Sequence, residues 1–149
     1  MQINCKTGLG VAFLFSMLLC GCKLKFEDVS KDPEYAPLLN TCYSLSTNMR
    51  IYGVNSPPFY GSEINIYIIY PMSIRIKGRE IITEDVLTPG AVIEVQSVKQ
   101  SINHIPGYKS IDAVVKVSPF TKAVDVPVVI DLKYLRSTNY MQSVANNPK

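Results

Sequence analysis

Residues 42–52 read "CYSLSTNMRIY". Tyr43, Leu45, Thr47, Met49 and Ile51 fall on one side of an extended chain, and Ser44, Ser46, Asn48 and Arg50 on the other. Successive side chains of a strand point to opposite faces, so this period-two alternation predicts a strand with one face buried. The same period recurs downstream. "SIDAVVKVS" (110–118) sets Ile111, Ala113, Val115 and Val117 on one face, and Pro119 stops it. "AVDVPVVIDLKYL" (123–135) sets Val124, Val126, Val128, Ile130 and Leu132 on one face, and its Pro127 predicts an edge strand because proline cannot donate to a ladder.

Between these lie the remaining strands and their punctuation. "INIYIIYPMSIRIK" (64–77) lines up Ile64, Ile66 and Ile68, with Pro71 as a bulge, edge or break. Thr88-Pro89-Gly90 is a turn leading into a strand from Ala91 to Lys99, and "NHIPGYK" (103–109) reads as a hairpin connection. Five to six short strands with regular turn signals predict an all-β fold, a small antiparallel barrel or sandwich. No segment shows helical spacing. The stretch "EDVLTPGAVIEVQSV" (84–98) resembles Src-homology-3-like barrels, which makes such a barrel the favoured architecture. Transthyretin-like and immunoglobulin-like sandwiches are the alternative.

The N-terminus has a different character. "VAFLFSMLL" (11–19) is a nine-residue apolar segment, about 13 Å as a helix against the roughly 30 Å of a bilayer core. That length suits the apolar region of a secretory signal. Directly after it stands Leu19-Cys20-Gly21-Cys22, which resembles the lipobox of bacterial lipoproteins; Cys20 at the −2 position departs from the usual Ala, Ser or Thr. The resemblance implies cleavage after residue 21 and a covalent diacylglycerol and N-acyl lipid on Cys22. It also implies an outer-membrane, periplasm-facing location, because Lys23 rather than Asp follows the anchor. A zinc site is the weaker reading, since only Cys5, Cys42 and His104 stand elsewhere as partners. The chain therefore divides into a signal peptide (1–21), a lipidated Cys with a flexible tether (22–40), a β-domain (41–136) and a polar tail (137–149). The tether reading rests on seven charges and two prolines in 23–40, which would span about 20–25 Å.

Composition narrows the function. The 15 basic and 12 acidic residues are scattered rather than clustered, which argues against nucleic-acid binding. His104, the single histidine, has Asp112 as a possible partner but no G-x-S-x-G or S-x-x-K motif beside it, so no enzyme is expected. Glu80, Glu84 and Asp85 lack calcium-loop spacing and read as a solvated turn, and Cys42 reads as a buried, inert thiol or a dimer-forming one. No cofactor beyond the lipid is expected. The remaining candidates are loop aromatics: Phe59 and Tyr60 in "NSPPFYG", and Tyr108 in the hairpin connection, which Tyr52, Tyr67 and Tyr70 would extend. These point to a protein partner, either in envelope assembly or as a toxic enzyme to be neutralised. Peptidoglycan binding is the alternative.

Overall fold

A computed structural model describes residues 26–55, 62–102, 110–123 and 125–144. The fold is all-β, with nine strands among the described residues rather than the five to six expected: β1 (Phe26–Asp28), β2 (Cys42–Leu45), β3 (Met49–Val54), β4 (Ile66–Pro71), β5 (Ile81–Leu87), β6 (Val92–Ser101), β7 (Ile111–Ser118), β8 (Val128–Asp131) and β9 (Met141–Val144). One short helix, α1 (Leu132–Leu135), follows β8, with Asp131 capping its N-terminus by accepting from the Lys133 N–H at 2.9 Å.

The strands form one sheet in the order β5-β3-β4-β8-β7-β6-β2-β9, with β1 also paired to β6. The sheet cannot be flat. Five inter-strand steps separate β2 from β3, about 24 Å at 4.8 Å each. Only three residues lie between Leu45 and Met49, so the four steps reach at most about 14 Å. Registers explain how the ends meet. Cys42 pairs with Glu94 and Ser44 with Val92; Met49 pairs with Leu87 and Gly53 with Thr83. No residue is gained or lost between the two sets, because Leu45 to Met49 and Ala91 to Leu87 are both four residues. β2 and β3 are thus one bent strand, and β5 and β6 its bent partner.

The extra strands in the count come partly from this corner. Thr47 is exposed there, whereas Leu45, Met49 and Ile51 keep the expected inward period. The turn that carries the partner strand around uses Pro89 and then Gly90 at φ +89°, closed by Ala91 N–H to Thr88 O at 3.2 Å. Only glycine takes that φ without steric cost, which is why the sequence has Gly at this turn position.

Curling buries one face. Leu45, Met49, Ile51, Tyr67, Ile69, Leu87, Ile93, Val95, Val98, Ala113, Val115, Val117, Val128 and Ile130 belong to a single core cluster. Tyr35 and the α1 residues Leu132 and Leu135 belong to the same cluster. In β6 the alternation slips between Val95 and Ser97, where a bulge inserts Gln96 and returns Val98 to the interior. In β4 the inward residues are Tyr67 and Ile69, and the isoleucine row Ile66 and Ile68 faces outward, half-buried. Residues 74–77 form no strand; they lie over the outer face, where the Tyr52 hydroxyl accepts from Ile76 N–H at 3.3 Å.

Three expectations need correction. Residues 26–40 are not a tether: β1 pairs with the end of β6, Tyr35 is buried, and Ser30 lies against the bulged stretch of β6. There the Ser30 hydroxyl accepts from Val98 N–H at 2.8 Å, replacing a strand partner where β1 and β2 leave a gap. Residues 137–144 are not a tail, because β9 pairs with β2 and buries Met141. Finally, β8 is an interior strand between β4 and β7, not an edge, and Pro127 stands just before its first residue. With no N–H to donate, Pro127 marks the end of the β7–β8 ladder at Val115 and Val128.

Candidate binding groove

The early end of that ladder leaves a notch. Lys116, Val117 and Ser118 of β7 pair with β6 on one side, while on the other the β8 pairing has already stopped. The described residues 119–123 and 125–127 border this notch as a strap. Phe120 packs edge-to-face on Tyr67, with ring centroids 5.2 Å apart. The Tyr67 hydroxyl donates to Lys122 O at 3.4 Å, and Lys122 Nζ bridges to Asp85 Oδ2 on β5 at 2.6 Å. The Lys122 ammonium holds the Asp85 carboxyl below the usual carboxylate range, with the Val86 N–H adding to the effect, and Asp85 in turn raises Lys122. Both ends of this ion pair are well exposed, so solvent screens it and its contribution to stability is small.

Between strap and sheet runs an open groove of about 670 Å³. Val114, Phe120 and Val126 give it apolar walls; Lys116, Asp125 and Gln96 give it polar and charged points. Each polar residue has a local reason to be there. The bulge turns Gln96 outward, and Asp125 sits at φ +59°, a left-handed position that Asp tolerates better than most residues. Opposite charges and apolar walls suit recognition of an extended polypeptide better than bond-breaking chemistry. Among the described residues no cluster of His, Cys, Asp and Glu is placed to hold a metal ion.

A second polar feature lies at the far end of β7. Asp112 faces Asp131 across the β7–β8 pair, and the Ser110 hydroxyl donates to Asp112 Oδ1 at 3.0 Å. Desolvation, with a smaller push from Asp131, raises the Asp112 carboxyl above its usual value. Asp131 is already engaged with Lys133 at 2.8 Å.

The residues singled out in the sequence fare unevenly. Cys22, Phe59, Tyr60, His104 and Tyr108 lie outside the described residues, as do Cys5 and Cys20. The residues flanking the two aromatic loops are described, and they sit apart. Asn55 precedes the first loop near the groove end of β4, and its Nδ2 donates to Glu63 O at 2.6 Å across the loop base. Ile102 and Ser110 flank the second loop at the opposite end of β7. Tyr52 and Tyr67 are buried and pack, while Tyr70 joins an edge-to-face series with Tyr52, Tyr134 and Tyr140. Cys42 is a half-buried free thiol on the outer face, opposite Glu94 and Val144. Glu84 and Asp85 belong to β5, not to a turn; Glu84 pairs with Arg50. The groove residues Lys116, Phe120 and Asp125 are not singled out by the sequence reading, although "SPFTKAVDVP" carries the signal used for the first loop, an aromatic in a connection between two strands.

No helix among the described residues is long and apolar enough to cross a membrane. No protein-family model, curated protein or solved structure matches the chain.

Proposed function

We propose that the chain is a lipoprotein, anchored through lipid on Cys22 to the periplasmic side of the outer membrane, whose non-catalytic β-domain binds another protein. The anchoring half rests on the Leu19-Cys20-Gly21-Cys22 motif after a nine-residue apolar run. The binding half rests on one observation: the open groove beside Lys116–Ser118, where β7 lacks a second neighbour. A strand flank of this kind suits an extended segment of a partner, held by main-chain contacts and selected by side-chain pockets. Phe120 and Val126 would take apolar side chains of that segment, while Lys116 and Asp125 fix its direction by charge.

The test is capture of a stoichiometric partner from a detergent-solubilised envelope by residues 23–149, followed by variants of the captured complex. Lys116→Glu and Val126→Glu are expected to weaken it at least about tenfold, in line with hot-spot truncations. If both bind as the parent does and Phe59→Ala with Tyr60→Ala abolishes binding, the first loop rather than the groove is the docking site. If no partner is captured and the domain pellets with purified cell wall, the protein-binding reading fails in favour of peptidoglycan.

A further inference from the structure

Five large apolar side chains are conspicuously exposed among the described residues, and two of them, Phe26 at 48% and Ile102 at 41%, lie at one rim of the sheet. Phe26 opens β1 and pairs with Ser101, the residue before Ile102. Ile111, on the neighbouring strand opposite Gln100, adds a half-buried apolar side chain to the same rim.

This rim is also where the chain enters the domain. Cys22 is four residues before Phe26, so an acyl-bearing Cys22 lies no more than about 14 Å from Phe26 however the link is drawn. A long tether would leave the orientation free. With β1 paired into the sheet at Phe26, the link is too short for that, and the anchor proposed on Cys22 would keep the rim close to the lipid surface.

We infer that this rim is a membrane-contacting face, with Phe26 and Ile102 dipping into the headgroup region of the bilayer that holds the acyl chains. The inference rests on the Cys22 anchor proposed above and adds an orientation to it. Aromatic and aliphatic side chains at such a boundary typically settle some 5–10 Å deep. The groove beside Lys116 lies five residues further along β7 from Ile111, about 17 Å away along the strand.

The chain contains no tryptophan, so a single introduced one reports its own position without background. Full-length, lipidated Phe26→Trp, Ile102→Trp and Thr121→Trp variants would be placed in phosphatidylethanolamine–phosphatidylglycerol vesicles carrying brominated acyl chains. The mass of the N-terminal peptide is read in parallel. The expected result is a diacylglycerol-bearing Cys22, with emission from the two rim positions quenched at least about twofold more than at Thr121 beside the groove. Ile102→Trp guards against a folding defect in Phe26→Trp. A lipid-bearing peptide with equal quenching at all three positions overturns the membrane face and leaves the anchor standing. A peptide without lipid overturns both.

Discussion

Leu45 N–H donates to Ala91 O at 2.9 Å, and the Leu45 carbonyl accepts from Gly90 N–H at 2.9 Å, so one residue binds its partner strand at the point where both strands bend. These two bonds carry the pairing around the corner. They place Gly90, with its positive φ, where the bend is sharpest.

Gly90 has open space around its missing Cβ, so a Gly90→Ala change meets no neighbour and isolates the backbone cost. A loss of about 1–2 kcal/mol is expected from forcing an alanine to φ +89°. Chemical denaturation reads it directly; an unchanged midpoint would show that the corner does not need this conformation.

Gly53 is the opposite case. A Cβ there would collide with Thr83 Oγ1 and sit 2.7 Å from Ile64 Cδ1, beside the bulge that shifts the β3–β5 register. Gly53→Ala should cost about 1–3 kcal/mol as overpacking. Combining it with Thr83→Gly should recover part of that loss, visible as coupling in a double-mutant cycle.

The strap makes a separable prediction. Phe120→Ala removes the edge-to-face contact with Tyr67 and should lower stability by about 1–2 kcal/mol, because the ring is only partly buried. Lys122→Ala should cost less than Phe120→Ala, with its effect fading in high salt because the pair is solvent-exposed. A larger effect for Lys122 than for Phe120 would mean that the ion pair, not the ring, holds the strap.

Asp112 gives a pH signature. Its folded pKa lies above the unfolded one, so the folded chain holds the proton more tightly, and stability falls as pH rises from the unfolded value through the folded one. Asp112→Asn keeps an acceptor for the Ser110 hydroxyl and removes the charge. The variant should gain up to about 1 kcal/mol at neutral pH and match the parent in acid. Thermal melts across pH 3–7 test this, and a gain that persists in acid would implicate packing instead.

Legibility in the sequence followed locality. β7 was readable because Ala113, Val115 and Val117 are core residues at an unbroken period of two. The corner was half-readable: Gly90 announced a turn, but nothing local says that Leu45 meets Ala91. Residues 26–40 were misread because their burial is carried by two isolated side chains, Ser30 and Tyr35, with no period to detect. β9 was missed for the same reason, since only Met141 of its four residues is buried. Pro127 misled, because a proline directly before an interior strand and one within an edge strand leave the same mark in the sequence. The groove was invisible as an arrangement, for it depends on where β8 stops relative to β7. Its parts were legible one residue at a time.

The bent pair has a consequence for how the domain comes apart. Residues 42–54 and 81–101 each run through both halves of the curved sheet, so neither half holds a set of strands that can detach alone. Partial openings are then confined to the periphery, to β1 and β9, and the rest behaves as one cooperative unit whose amide protons share a single slowest exchange rate.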